Sequence, residues 1–189
     1  NVRDRTIATV IDRYDLDKAQ AERVSATAWL LLNQVRDAWH LTAEELAHNL
    51  EWAARLHEIG LLLTHDQYHK HGAYILEHAE LPGFSRSDQL LLAALVRRHR
   101  RGFPAKAFEH LPKELAPLAQ RLCVLLRLAV VLHRGRSRHA LPMLNLQVER
   151  QRLELRFPEG WLDANPLTRA DLTSEARYLK KAGFRLEFG

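Results

Sequence analysis

Helical periodicity runs through this chain from about residue 3 to residue 134 and then gives way to a different pattern. Ile7, Val10 and Ile11 show the i, i+3, i+4 spacing that places apolar side chains on one face of a helix. Since such faces are stable only when buried against one another, the sequence predicts a mainly α fold organised as a helical bundle. Further helices are expected near residues 67–79, 86–98 and 113–134.

Polar residues mark several of the expected helix ends. Asp17 with Gln20, and Thr42 with Glu45, have the spacing of capping boxes, in which side chains satisfy backbone N–H groups that the first helical turn leaves free. Gly60 follows an apolar helical face and is predicted to end that helix in the left-handed conformation.

After about residue 140 the period of the apolar residues changes to two. The segments MLNLQV and LELRF alternate apolar and polar residues, which is typical of half-buried strands. Pro166 at a first helical position and Gly183 after a last turn bracket a helix, and FRLEF follows as a strand. The sequence thus predicts a β-β-α-β appendage. We expect two domains, an all-helical one over residues 1–136 and a small α+β one over residues 137–189.

The charge of the chain is moderately positive. Its 28 lysines and arginines outnumber 23 aspartates and glutamates, giving a net charge of +5, and 11 histidines add positive charge below neutral pH. This balance favours anionic partners without selecting one of them.

The single cysteine, Cys123, lies in the apolar segment RLCVLLRLAVVL and is expected to be a small core residue. The same segment is too short to span a bilayer and contains Arg127, so no membrane attachment and a cytoplasmic location are expected. Because the chain begins with Asn1 and its only methionine is Met143, we expect it to be a piece of a longer protein.

Two clusters of arginines lie at predicted helix ends, each close to a glycine. Arginine binds phosphate through a planar fork of donors, so such clusters suit a polyanion with a charge on every unit. Nearby histidines could add further donors to the same surface. The predicted polyanion-binding residues are Arg97, Arg98, Arg100, Arg101, Arg134, Arg136, Arg138, His69 and His71.

The segment RLHEIG resembles the sequence with which metal-dependent phosphohydrolases of the HD type hold their ion. His57 keeps its place, whereas Glu58 stands where those enzymes carry aspartate. An HD site needs several converging histidines and carboxylates. The position of the early histidine falls near Gln20 or Ala21. The position of the late aspartate falls near Leu132, which cannot ligate a metal. We therefore predict no metal and no catalytic residue in this chain, with His57 and Glu58 as the remnant of an HD site.

Five segments carry a wider resemblance: NVRDRT, EWAARLHEIG, HKHGAYILEHAELPGFS, LLRLAVVLHRGR and LRFPEGWL. In this order they resemble the C-terminal half of bacterial exopolyphosphatases and guanosine pentaphosphate phosphohydrolases. The resemblance implies an HD-like helical domain followed by a small α+β domain. It also implies that catalysis, with magnesium, resides in N-terminal actin-like ATPase-type domains, and that the protein forms a homodimer.

Three functions are compatible with these observations. The leading hypothesis is a non-catalytic C-terminal module that binds polyphosphate or guanosine pentaphosphate and supports dimerisation, inactive when isolated. One alternative is an autonomous HD-type phosphohydrolase acting on a nucleotide, with His57, Glu58, His71 and His99 as ligands. Another is a nucleic-acid-binding module, which is disfavoured because aromatic residues are not interleaved with the basic ones, only Phe103 lying close to RRHRR. All four tryptophans are predicted to be structural.

Overall fold

The computed structural model describes all 189 residues. It confirms the mainly α fold with a small α+β appendage. The helices are α1 (Val2–Arg13), α2 (Lys18–Val35), α3 (Glu44–Leu56), α4 (Tyr68–His78), α5 (Arg86–Arg97), α6 (Ala116–Leu132), α7 (Trp161–Ala164) and α8 (Pro166–Lys181), with a short 3₁₀ turn at Ile59–Leu62. The strands are β1 (Asn145–Glu149), β2 (Arg152–Arg156) and β3 (Arg185–Phe188).

The helix ends confirm one predicted cap and correct another. The Asp17 side chain accepts a hydrogen bond from the backbone N–H of Gln20 at 3.0 Å, so α2 begins as expected. The predicted cap at Thr42 is wrong, because Ala43 occupies the capping position of α3 and no side chain caps that helix. Two glutamates in the first turn of α3 instead complement its N-terminal dipole.

Gly60 does not end α3 in the left-handed conformation, and that prediction is wrong as well. It is buried within the 3₁₀ turn that follows α3. A Cβ atom placed on Gly60 would lie 2.0 Å from the backbone oxygen of Tyr68 and 2.7 Å from the backbone nitrogen of Gly72. A glycine is therefore required here because the start of α4 packs directly on the turn.

A single hydrophobic core joins the helices to the sheet. Trp39 and Trp52 are each 1% exposed, and Trp161 stacks on Phe157 with ring centroids 5.0 Å apart, in agreement with their predicted structural role. The same prediction is wrong for Trp29, which is 56% exposed on α2. Cys123 is buried in α6 as a free thiol, as expected.

The sheet has the order β1-β2-β3, with β1 and β2 antiparallel and β2 and β3 parallel. Parallel pairing requires a crossover, which α7 and α8 supply. Leu153 of β2 pairs with Val148 on one side and with Leu186 on the other. The appendage is thus a three-stranded sheet covered by α8.

Side chains from α2 and the loop after it bind the appendage to the helical part. The indole Nε1 of Trp39 donates to the backbone oxygen of Arg150 at 2.7 Å. Gln34 donates to the oxygen of Leu144 and accepts from the nitrogen of Leu146. These bonds cross the predicted domain boundary near residue 136, which stays a prediction.

Arg127 of α6 makes a buried connection to α8. Its guanidinium, which is 0% exposed, binds both carboxylate oxygens of Glu175 at 2.7 and 3.0 Å. Its two terminal nitrogens also donate to the backbone oxygens of Arg98 and Arg101, at 2.6 and 2.8 Å respectively. One side chain therefore joins α6, α8 and the segment after α5.

None of the helices is both long and apolar enough to cross a membrane.

Candidate functional site

A polar cavity of about 490 Å³ lies where the C-terminal ends of α3, α5 and α6 meet the side of α8. Three of its thirteen lining residues are hydrophobic, and the others are polar or ionisable. They are Gln20, His57, Glu58, Arg100, Arg101, Arg134, Arg136, Asp171, Ser174 and Glu175, together with Tyr68, Val130 and Tyr178.

Arg136 and Glu58 form the central ion pair of this cavity. The two terminal nitrogens of Arg136 reach the two carboxylate oxygens of Glu58 at 2.7 and 3.0 Å, and one of them also lies 3.0 Å from Asp17. Arg136 is held at a φ of 53°, in the left-handed region. The hydrogen bonds with Glu58 raise the pKa of Arg136 above its usual value. The remnant carboxylate of the HD sequence is therefore neutralised by a guanidinium.

His57 lines the cavity and His99 lies directly behind it; both are 2% exposed, and their rings are 5.1 Å apart. Each ring donates from Nδ1 to the backbone oxygen three residues earlier, that of Ala54 at 2.6 Å and that of Val96. Burial lowers the pKa of both histidines, so both are neutral at pH 7. The Nε2 of His99 is buried without a hydrogen-bond partner.

His69 lies closer to these two buried histidines than was expected from the alternative metal-ligand set, which contained His71; both His69 and His71 were predicted to bind a polyanion. His69 is buried, its ring lies 6.4 Å from that of His99, and its Nδ1 accepts from Arg100 at 3.2 Å. Burial, followed by the charge of Arg100, lowers the pKa of His69 to about 4. His71 is exposed on α4, and neither His69 nor His71 lines the cavity. The ligand set His57, Glu58, His71 and His99 is therefore not brought together.

The side chains do not fit a metal ion. No group of three or more histidine, cysteine, aspartate or glutamate side chains is arranged to hold one. At the early HD position, the Gln20 amide donates to the backbone oxygen of His133 at 2.8 Å. At the late position, Leu132 is buried in the core. Two positions that need a ligand thus carry side chains with other roles.

Four of the seven predicted arginines converge on the cavity, two from each cluster. Arg100 lies over the ring of Tyr68 at 4.4 Å and donates to the backbone oxygen of Asp66 at 3.0 Å. Arg134 binds Asp171 of α8 at 2.9 Å. The remaining members of the converging set are Arg101 and Arg136.

The other three predicted arginines lie elsewhere. Arg97 and Arg98 line a separate cavity between α4 and α5. Arg138 is exposed beyond Arg136 and lines neither cavity. The division follows from helix geometry, because residues on either side of a helix end point in different directions.

The wall supplied by the appendage was not predicted. Asp171, Ser174, Glu175 and Tyr178 line the cavity from α8, and their spacing of three and four residues places them on one helical face. That polar stripe is visible in the segment DLTSEARY. Its meeting with the arginines depends on how α8 packs against α6.

Comparison with known proteins places this chain in a family. The model of the family described as Ppx/GppA phosphatase, domain III, matches residues 2–176. A guanosine-5'-triphosphate,3'-diphosphate pyrophosphatase of Pseudoalteromonas translucida (strain TAC 125) is 38% identical over 186 residues, which are 98% of this chain and 37% of that protein. Proteins of the same name from Aeromonas hydrophila and Vibrio vulnificus (strain YJ016) are each 36% identical, over 97% and 98% of this chain.

The chain thus spans about 37% of the length of these curated relatives. The matched region covers helices α1 to α6, the arginines of the cavity and most of α8. The resemblance seen in the sequence is confirmed, and the chain belongs to the Ppx/GppA phosphatase family, in which it corresponds to domain III of the C-terminal part.

Proposed function

We propose that this chain is a non-catalytic C-terminal module whose arginine-lined cavity binds guanosine pentaphosphate or polyphosphate for a phosphatase of the Ppx/GppA family. The parent enzyme would hydrolyse a terminal phosphoanhydride bond. Its catalytic groups, and the magnesium that they would hold, belong to N-terminal actin-like ATPase-type domains outside this chain. The name of the relatives, guanosine-5'-triphosphate,3'-diphosphate pyrophosphatase, supports this substrate class.

The convergence of Arg100, Arg101, Arg134 and Arg136 carries this proposal. Two of them follow α5 and two follow α6, so distant parts of the chain contribute to one positive surface. Guanidinium groups present several N–H donors in a fixed plane and suit phosphate oxygens. A ligand with several phosphates can engage more than one of them, which a single phosphate cannot do.

The carboxylates of the cavity set the selectivity for strongly charged ligands. Asp171 binds Arg134, and Glu58 binds Arg136, so each guanidinium already has an acidic partner. An anionic ligand must compete with these partners for the same N–H donors. A polyanion competes better than a monoanion because it releases more counterions from its own surface on binding.

The proposal is tested by titrating the purified chain with guanosine pentaphosphate and with polyphosphate in a calorimeter. We expect Arg100→Met and Arg134→Met each to weaken binding about tenfold, because each removes charge-assisted hydrogen bonds to phosphate. Arg177→Met is the matched control, since Arg177 is exposed on α8 and does not line the cavity. An equal loss in the control would show diffuse attraction and would contradict a defined site.

Two competing functions are separated by further measurements on the same protein. Metal-dependent phosphate release by the isolated chain, lost in His57→Ala, would indicate an autonomous HD hydrolase. RNA that displaces polyphosphate at matched salt would indicate a nucleic-acid-binding module. We expect neither result. Glu58 is already bound by Arg136 and so is not free to hold a metal ion, and the family's relatives are named for a guanosine polyphosphate substrate.

We also propose a homodimer and a cytoplasmic location. Exposed apolar side chains, which are often buried between subunits, support the dimer; they are Trp29, Leu30, Met143 and Leu167. Sedimentation of the wild type and of Trp29→Lys would test it, with a shift to monomer expected in the variant if α2 lies in the interface. The free buried thiol of Cys123 is in keeping with a reducing compartment.

A further inference from the structure

A second cavity, of about 250 Å³, lies on another face of the helical part, between α4, α5 and the segment around residue 107. One side of it is apolar and consists of Leu90 and four alanines, Ala73, Ala93, Ala94 and Ala107. The other side is ionisable and consists of Glu77, Arg97, Arg98 and His110. It shares no lining residue with the arginine-lined cavity described above.

Arg98 is the unusual residue of this second cavity. It is only partly exposed, its Nε is buried without a hydrogen-bond partner, and its guanidinium forms no ion pair. Burial, followed by the neighbouring charge of Arg97, lowers the pKa of Arg98 below its usual value. By contrast, the guanidinium of the buried Arg127 is fully compensated by Glu175 and two backbone oxygens.

A cation that is partly removed from water and has no partner destabilises the fold unless something neutralises it. Glu77 does not do so, because its carboxylate faces Arg86 at 4.0 Å while the backbone oxygen of Glu77 also accepts from Arg86. Two guanidinium groups and one imidazole therefore face a cavity in which no acidic side chain pairs with them. An anion with two negative charges matches this arrangement better than a carboxylate would.

The apolar side defines the rest of the ligand. Alanine side chains are short, so Ala73 of α4, Ala93 and Ala94 of α5 and Ala107 of the following turn leave methyl-lined space in which an apolar ring can lie. Ligand sites commonly combine such apolar walls with a few polar groups that fix orientation. The volume of about 250 Å³ lies just below the roughly 300–1,000 Å³ of common ligand pockets, so it suits a small molecule and is too small for a folded polymer chain.

We infer that the cavity between α4 and α5 is a second ligand site, which binds a small phosphate monoester with a flat, apolar body, its phosphate held by Arg97 and Arg98. The site is separate from the polyanion surface and does not depend on the function proposed above. Because most of the wall comes from two packed helices, α4 and α5, the site is preformed and needs no rearrangement of the core.

The inference is tested by adding adenosine 5'-monophosphate to the isotope-labelled chain and following backbone amide signals by nuclear magnetic resonance. We expect shifts at Ala73, Ala94 and Ala107, and none at Arg134 or Arg136. Adenosine, which lacks the phosphate, and inorganic phosphate, which lacks the ring, should each bind at least about tenfold more weakly, since each forfeits one of the two contributions.

Three variants make the test decisive. Arg98→Met keeps the aliphatic stem while removing the charge and should weaken binding about tenfold or more. Ala107→Leu should fill the cavity and abolish binding, with circular dichroism confirming that the chain remains folded. Arg177→Met, the control, should bind like the wild type. Equal loss in all three variants, shifts confined to Arg134 and Arg136, or no binding by the wild type would each overturn the inference.

Discussion

The ion pair between Arg136 and Glu58 changes what the predicted remnant of an HD metal site can bind. A glutamate beside a buried histidine would attract a cation, and here Arg136 supplies that cation with two hydrogen bonds. The same guanidinium also reaches Asp17, so it links the loop after α6 to the start of α2. A phosphate ligand in the cavity must share Arg136 with both carboxylates.

Gly60 gives a sharp prediction at the scale of one residue. Gly60→Ala should destabilise the chain by about 3 kcal/mol or more, because the new methyl group would overlap backbone atoms of α4 that no side-chain rotation can move away. Urea unfolding followed by circular dichroism measures the loss. The matched control is Gly135→Ala, which meets no atom within 4 Å and should change stability by less than about 0.5 kcal/mol.

Residue-scale predictions with a local cause succeeded in part, since the cap at Asp17 formed and the cap of the same spacing at Thr42 did not. The cap at Asp17 depends on residues three positions apart and was correct. The role of Gly60 was wrong because it depends on Tyr68 and Gly72, which approach only after α4 packs against the turn. His69 was ranked no higher than His71 because their neighbours in space cannot be read from the segment HKHG.

The contact between α6 and α8 gives a prediction at the scale of elements. Arg127→Met should cost about 3–5 kcal/mol, because it leaves the buried Glu175 without a partner. The double variant Arg127→Met/Glu175→Leu should recover part of that loss, since no charge stays buried alone. Thermal or urea unfolding of the two single variants and the double variant measures the coupling.

The control for that prediction is an ion pair on the surface. Arg152 and Glu187 lie 2.9 Å apart across β2 and β3 and are both partly exposed to solvent. Arg152→Met should therefore change stability very little, because water already screens this pair. A large loss in this control, or none in Arg127→Met, would contradict the importance assigned to the buried pair.

Most elements followed from periodicity alone. The helices expected near residues 67–79 and 86–98 are present as α4 and α5, within one residue at each end. The long helix begins at Ala116, three residues later than expected, because Pro117 favours the first turn of a helix. The short α7 was missed since four residues are too few to show a period.

The whole molecule should lose stability as the pH falls from about 7 to 5. Burial lowers the pKa of His57, His69, His99 and His133 in the folded state, to about 4 for His69 and His133. The unfolded chain therefore binds more protons than the folded one below about pH 6.5. Each such histidine should lower the free energy of unfolding by up to about 1.4 kcal/mol for each pH unit of acidification in that window.

Denaturant unfolding at several pH values checks this prediction. His133→Gln, which retains an acceptor for the Thr27 hydroxyl group, should reduce the slope by the share of one histidine. His65→Gln should leave it unchanged, because His65 is exposed. A stability that rises on acidification would contradict the assignment of these histidines as buried and neutral.

The sequence alone could not predict which residues line the cavity, because they come from distant parts of the chain. Glu58, Arg100, Arg136 and Asp171 are separated by tens of residues, and their meeting depends on how three helix ends and α8 pack. The charge pattern indicated an anion-binding surface. It could not separate the arginines that share a cavity from Arg97 and Arg98, which face another.

Arg127 has a mechanical consequence for the molecule as a whole. Its guanidinium donates hydrogen bonds to the backbone oxygens of Arg98 and Arg101 on one side and to the carboxylate of Glu175 on the other. A displacement of α8 would thus be transmitted through the hydrogen-bonded side chain of Arg127 to the loop that carries Arg100 and Arg101. A protein that bound the appendage and displaced α8 would therefore change the spacing of Arg100 and Arg101 without contacting them.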